Sequence, residues 1–192
     1  MSHDGFHVHG PHDHELEHAA AHGGAGSSAG KMAVITAVLA TVGALFSYMG
    51  GATQANAGLL KNDAAIRKTE ASNQWNYYQA KSSKQNLSEL AVALSPPERQ
   101  DNYRAEVARY AAEKTEIKRN AEKLEAESKA FDQQSAEQMH QHHRWAQATT
   151  ALQISIAMAA IALLTKRKWL EYLVFGMGGL GVVLGGLAWF HV

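Results

Sequence analysis

Three long uncharged runs limit what this sequence can fold into. They cover residues 32–60, 145–165 and 172–192. Each run is long enough to cross a hydrocarbon layer, which takes about 20 residues of α-helix. The sequence therefore predicts an all-α membrane protein with three transmembrane helices, which we place at residues 31–52, 145–165 and 169–191.

From the end of the first run to the start of the second, residues recur at seven-residue spacing that are apolar with the exception of Asn73 and two serines. Pro96 and Pro97 divide this segment into two arms of similar length, since proline ends a helix. Seven-residue repeats are typical of coiled coils. Residues 53–144 are therefore predicted to form an antiparallel coiled-coil hairpin with its turn at residues 95–98. The predicted contact positions are Leu59, Ile66, Asn73, Ala80, Leu87 and Leu94 in the first arm, and Tyr103, Tyr110, Ile117, Leu124 and Phe131, with Val107, Ala121, Ser128 and Ser135, in the second.

The distribution of basic residues predicts the orientation of the chain. Lys166, Arg167 and Lys168 fill the short loop between the second and third runs, and such loops tend to stay in the cytoplasm. We therefore expect the hairpin outside the cytoplasm, in the periplasm, and the N-terminus inside it. Basic residues of the hairpin near the membrane ends leave the opposite orientation open. We expect the first run to be retained, because it is longer than the core of a signal peptide.

Residues 1–30 hold seven of the eleven histidines and end in a stretch of glycine, alanine and serine, which predicts a flexible tail. Imidazole and carboxylate groups are ligands that zinc, nickel and copper accept. One interpretation is a site for a divalent transition metal. The other, which we favour, is a solvated tail with incidental metal affinity. The candidate ligands are His7, His9, His12, His14, His18 and His22.

Small residues recur at every fourth position in two of the predicted membrane helices. This spacing lets another helix approach closely, because no large side chain intervenes. It predicts tight helix packing, within the chain or between copies. The residues are Gly43, Ser47 and Gly51 in the first membrane helix and Gly181 and Gly185 in the third.

Trp75, Tyr77 and Tyr78 form an aromatic cluster on the first arm of the hairpin. Their spread around a helix means that they cannot all lie in one two-helix contact. We prefer a bundle of three or four helices with a neighbouring copy, so that the cluster is a partner surface. The alternative is that half-buried aromatic side chains cover the other arm.

Two polar residues of the membrane segments have open roles. Glu171 begins the third membrane helix, close enough to pair with Arg167 or Lys168 as an interfacial ion pair. The alternative is that Glu171 side chains from several copies form a ring that selects cations along a conduction path. Gln153 lies well inside the second membrane helix, and we expect it to hydrogen-bond to another helix.

Composition argues against several functional classes. The chain has no cysteine, so disulfides, thiolate zinc sites and iron–sulfur clusters are not available. Its 18 basic residues balance its 18 acidic residues, whereas binding of nucleic acid needs a basic face. No recognisable nucleophile or metalloprotease motif occurs, so we expect no enzyme and no catalytic residue.

The segment at residues 71–81, Ala-Ser-Asn-Gln-Trp-Asn-Tyr-Tyr-Gln-Ala-Lys, follows an apolar helix and resembles the signature of a bacterial membrane family known as domain of unknown function 4337. The likeness extends to the histidine-rich tail at residues 9–15, the first membrane helix and the closing membrane pair. The resemblance implies a multi-pass protein of the bacterial inner membrane. It brings no activity and no catalytic residue.

These features predict a non-enzymatic scaffold or adaptor in the lipid bilayer, with homo-oligomers as its working form. Its coiled-coil hairpin would act as a stalk that reaches an envelope protein. The alternative is a metal-responsive or cation-conducting membrane protein, with the histidine-rich tail as sensor and the region of Glu171 as gate.

Overall fold

Three long helices make up nearly all of residues 28–190, which is the part of the chain that the computed structural model describes. Helix α1 is Ser28–Leu94, α2 is Pro97–Thr165 and α3 is Lys168–Trp189. No strand occurs within this described part. The predicted all-α class is confirmed, and each helix is long and apolar enough to cross a membrane, by length and composition.

Helix α1 ends and helix α2 begins where the proline pair predicts. The Ser95 N–H donates to the carbonyl of Ala91 at 3.0 Å and closes the last turn of α1. Pro97 takes the first position of α2, where the missing N–H of proline removes no helical hydrogen bond. The turn therefore consists of Ser95 and Pro96, which is shorter than the predicted 95–98.

The connection between α2 and α3 is equally short. Lys166 has a left-handed backbone (φ 54°), and its N–H donates to the carbonyl of Ala162 at 2.9 Å. This bond is typical of a helix end closed by a left-handed residue, a position that usually belongs to glycine. Arg167 follows in extended conformation as the N-cap residue of α3. The basic cluster predicted to form this loop therefore spans the loop and the first residue of α3.

The described helices divide into two compact units. The hairpin unit is Gln54–Met139 and contains one part each of α1 and α2. The second unit consists, within the described part, of residues 28–53 and 140–190, and contains parts of all three helices. The predicted limits at residues 52 and 144 fall inside the continuous helices α1 and α2.

The two helices of the hairpin unit pack antiparallel and very closely. The Ser128 hydroxyl donates to the backbone carbonyl of Ala64, and the Ser135 hydroxyl to that of Ala57, both at 2.8 Å. A serine side chain is short, so it reaches a neighbouring backbone only where the facing residue is small. The coiled-coil character of this pair stays a prediction.

The contact positions predicted for the second arm are confirmed. None of them is exposed, whereas the residues between them mostly are. Ile117, Ala121, Ser128 and Ser135 are buried, and Tyr103, Val107, Tyr110, Leu124 and Phe131 are half-buried.

The contact positions predicted for the first arm are wrong. Their large members are exposed: Leu59 66%, Ile66 49%, Leu87 66% and Leu94 76%. Three alanines that each lie two residues before a predicted position are buried instead, namely Ala57, Ala64 and Ala71. Alanine is buried there because a larger side chain would separate the helices and break the serine hydrogen bonds. Asn73 is exposed too, so it cannot set the register of this pair.

The core of the second unit lies between its three helices. Leu39 of α1, Leu152 and Ala159 of α2, and Val174 of α3 form a buried apolar cluster. The hydroxyl of Ser155 donates to the carbonyl of Val174 at 2.7 Å, so a serine again joins two helices through the backbone.

Candidate interaction surfaces

An apolar stripe runs along the outside of α1 in the hairpin unit. Residues two apart on a helix are about 200° apart, so the three positions that follow the buried alanines by two residues point away from α2, and the seven-residue spacing continues this line along the arm. Every member of this set is exposed. We call it the α1 stripe, and it consists of Leu59, Ile66, Asn73, Ala80, Leu87 and Leu94.

Two of the three residues of the aromatic cluster contact the other arm of the hairpin. Trp75 donates its indole N–H to a carboxylate oxygen of Glu125 on α2 at 3.1 Å. Tyr78 contacts Trp75 edge to face, with 5.7 Å between ring centroids, and the ammonium of Lys114 lies 5.0 Å from the Tyr78 ring centroid. These two aromatic residues therefore cover the other arm. Tyr77 is half exposed, and its role in a partner surface stays a prediction.

Lys81 contacts one acidic and two aromatic side chains in the hairpin unit. Its ammonium lies 2.5 Å from a carboxylate oxygen of Glu113, and 5.1 and 5.4 Å from the ring centroids of Tyr77 and Tyr110. The hydrogen bond from Lys81 holds the pKa of Glu113 below its ordinary value, although burial acts in the opposite direction. The hydrogen bonds to Glu113 and then Tyr77 raise the pKa of Lys81. Both groups are therefore charged at neutral pH.

The two glycines predicted to permit close packing of α3 are buried at contacts with other helices. A Cβ atom added at Gly181 would lie 2.7 Å from the Leu152 side chain and 3.1 Å from the Leu152 backbone nitrogen. One added at Gly185 would collide with the ring of Phe46. Only glycine fits either position without movement of a neighbouring side chain or backbone.

Of the three small residues predicted to permit close packing of α1, only one is buried within the chain. Gly43 is buried, whereas Ser47 and Gly51 are exposed, and no atom lies within 4 Å of a Cβ added at Gly51. Sequence reasoning missed Gly50, where an added Cβ would lie 3.3 Å from that of Trp145. Spacing of seven from Gly43, rather than four, would have identified it. Contacts between copies through Ser47 and Gly51 stay a prediction.

His142 makes a polar contact that nothing in the sequence indicates. Its Nδ1 lies 2.8 Å from the carbonyl oxygen of Gly50. Because a carbonyl only accepts, Nδ1 must carry a hydrogen and donate it. The side chain thereby links α2 to α1 within the second unit.

Glu171 lies in the first turn of α3 and is half-buried. The positive end of the helix dipole favours a carboxylate at this position. Glu171 is engaged in an interaction with its surroundings. Its role as an interfacial ion pair or as part of a gate stays a prediction.

The metal site proposed for the tail lies outside the described residues. Its six histidine ligands all precede residue 28, where the description of the chain begins. Among residues 28–190, no three histidine, aspartate or glutamate side chains come together as metal ligands. Zinc, nickel or copper on the tail therefore stays a prediction.

Comparison with known proteins identifies a family. The model of the family described as Domain of unknown function (DUF4337) matches residues 28–191. No curated protein and no solved structure matches the chain. The matched residues include all three helices and the α1 stripe, and they exclude the six candidate histidine ligands of the tail.

Proposed function

This chain belongs to the family described as Domain of unknown function (DUF4337), and we propose that it is a non-enzymatic integral membrane protein that works as an oligomeric scaffold. The uncharged parts of α1, α2 and α3 cross the bacterial inner membrane. The helices of the hairpin unit form a coiled coil that associates with the hairpins of other copies. In this role the assembled hairpins present a surface to a partner in the cell envelope.

The α1 stripe is the observation that carries this proposal. Its leucines and isoleucine are half to three-quarters exposed and recur with the seven-residue spacing of coiled-coil contacts. Burying such a side chain completely contributes about 1.5–3 kcal/mol. A second helix along the stripe would therefore gain several times that energy, whereas the hairpin alone leaves it unused.

A second copy of the chain is the partner that fits the stripe. All copies insert into the membrane with the same orientation, so their hairpins point the same way. Two stripes then meet residue by residue, as in a parallel coiled coil. Asn73 would face Asn73 of the second copy, and a polar pair at a core position fixes register and the number of helices. Asn73 would therefore set the register between hairpins rather than within one hairpin.

The alternative function, a metal-responsive or cation-conducting protein, depends on the histidine-rich tail and on Glu171. The tail lies outside the described residues, whereas the α1 stripe is a described surface that favours the scaffold. We therefore retain the scaffold as the function of this chain.

The experiment is a comparison of molecular mass in detergent or nanodiscs. Ile66→Glu combined with Leu87→Glu places charges in the stripe, while Ala112→Glu with Ala126→Glu places them at exposed positions of α2. We expect the wild type and the α2 variant to have a multiple of the chain mass of 20.8 kDa, and the stripe variant to have a smaller mass than either. A wild type of 20.8 kDa, or a stripe variant with unchanged mass and unchanged helix content, would contradict the proposal.

A further inference from the structure

The membrane segment of α2 leaves two amide side chains uncovered. Gln147 and Gln153 are exposed, and neither side chain has a hydrogen-bond partner among residues 28–190. Thr150, on the same side of the helix, is satisfied because its hydroxyl donates to the carbonyl of Ala146 at 2.8 Å. The prediction that Gln153 bonds to another helix is therefore not met inside the described chain.

Gln153 lies at a position where a side-chain amide without a hydrogen bond has a high free-energy cost. It follows Trp145, the start of the uncharged run, by eight residues, or ~12 Å along the helix axis. An amide without a hydrogen bond in an apolar medium costs roughly 2–7 kcal/mol. Gln147 lies one half-turn from the start of the run and can reach the headgroup region. Gln153 is too deep to do so, hence it needs a partner within the hydrocarbon layer.

We propose that this side of α2 is an interface with a second copy of the chain inside the membrane. We call it the amide face, and it consists of Gln147, Thr150, Gln153 and Ala157. This inference rests on the proposed membrane insertion and self-association, and it adds a contact that the hairpin stripe does not include.

Hydrogen-bond complementarity identifies the occupant. Copies with one orientation place Gln153 at the same depth, so the two Gln153 side chains can meet across a twofold axis normal to the membrane. A primary amide both donates and accepts, and two of them can bond reciprocally. Lipid chains offer neither group. Ala157, one turn further along, is small and exposed, which lets the helices approach closely.

The surface beside the amide face fits such an interface. An open groove of about 440 Å³ lies along it, lined by the polar side chains of Gln147 and Thr150 and the apolar side chains of Ile154 and Met177. Interfaces between membrane helices combine these two kinds of group, because polar pairs set the register while apolar contacts supply packing.

The test uses disulfide formation in native membranes, because the chain has no cysteine of its own. Ala157→Cys keeps both glutamines in place and reports on the amide face. Val38→Cys, on α1, is the matched control. Gly43 of α1 packs beside Leu152 of α2. The two helices are antiparallel, so Val38, five residues before Gly43, lies at a depth similar to that of Ala157, five residues after Leu152. Val38 is 57% exposed.

We expect Ala157→Cys to give an oxidised species of twice the 20.8 kDa chain mass, severalfold more than Val38→Cys. Adding Gln153→Leu should lower that yield, because leucine keeps the helix apolar and removes the amide. Equal yields from both cysteines, no adduct, an adduct of another mass, or a yield that Gln153→Leu leaves unchanged would each overturn the inference. If a cysteine in the hairpin stripe still cross-links, the inference alone has failed; if neither position does, the proposed oligomer has failed as well.

Discussion

The hydroxyl of Ser128 donates a hydrogen bond of 2.8 Å to the backbone carbonyl of Ala64, which lies 64 residues earlier on the opposite helix of the hairpin. The carbonyl of Ala64 faces a neighbour this close because Ala64 itself is almost completely buried and has no side chain beyond Cβ. The small residues of α1 therefore set the distance between the two helices.

Ala64→Leu should destabilise the hairpin, since the added atoms must push α2 away. Overpacking of this kind costs about 1–3 kcal/mol. Ala65→Leu is the matched control, because Ala65 is the neighbouring residue and is exposed. Thermal unfolding followed by circular dichroism should show a lower midpoint for Ala64→Leu and little change for Ala65→Leu. Equal midpoints would mean that the close approach does not contribute to stability.

Gly181→Ala should destabilise the contact between α3 and α2. The new Cβ would lie 3.1 Å from the Leu152 backbone nitrogen, and backbone cannot move aside as a side chain can. We expect a loss of about 1–3 kcal/mol. Gly179→Ala adds the same atom where no neighbour lies within 4 Å, so it should be neutral or slightly stabilising. Thermal inactivation or aggregation in detergent measures both, and equal behaviour of the two variants would refute the packing account.

The ion pair of Lys81 and Glu113 should make hairpin stability depend on pH. Because the Glu113 pKa is lowered from 4.5, its contribution is present above that value and is lost as pH falls through the lowered pKa. Because the Lys81 pKa is raised from 10.5, its contribution is present below that value and is lost as pH rises through the raised pKa.

Glu113→Gln should therefore lower the midpoint of thermal unfolding at neutral pH and have less effect in acid. Glu116→Gln serves as the control, because Glu116 is exposed one turn away. A difference between wild type and Glu113→Gln that stays constant down to about pH 3 would show that the pair is not the source of the pH dependence.

Ser95→Cys places a unique thiol in the turn between α1 and α2. If the hairpin lies in the periplasm, as the basic loop at Lys166 predicts, an impermeant maleimide should label this thiol in intact spheroplasts. Labelling only after lysis would place the hairpin in the cytoplasm. The same cysteine labelled after denaturation controls for expression.

The helix ends and one side of the hairpin could be predicted from the sequence, because their signals are strong. Pro96 and Pro97 leave little choice of where α1 ends. In the second arm, large residues such as Ile117 and Phe131 lie at the contact positions, so the pattern of apolar residues coincides with burial.

The buried residues of the first arm could not be predicted in this way, because the large apolar residues of that arm are not the buried ones. Leu59 and Ile66 dominate any count of apolar residues, yet Ala57 and Ala64 are the buried ones. The backbone hydrogen bonds that favour alanine come from serines about 70 residues away, which no local pattern shows. The seven-residue repeat of the first arm therefore describes the exposed α1 stripe and not the contact with α2.

The amide face was predictable in part. The sequence identifies Gln153 as a residue that needs a hydrogen bond within the membrane. Whether α1, α3 or another copy supplies it depends on how the helices rotate about their axes, which only the packed structure shows. That packing turns Gln153 outward and Ser155 inward.

Cross-linking along the α1 stripe tests the central claim, that hairpins associate through this surface. Ala80→Cys lies in the middle of the stripe, and Ala112→Cys, on the outside of α2, lies at a similar level because Lys81 pairs with Glu113. In native membranes, a short bifunctional maleimide should convert Ala80→Cys, and far less of Ala112→Cys, to a species of twice the chain mass. Equal conversion of the two, or none for Ala80→Cys, would contradict the account.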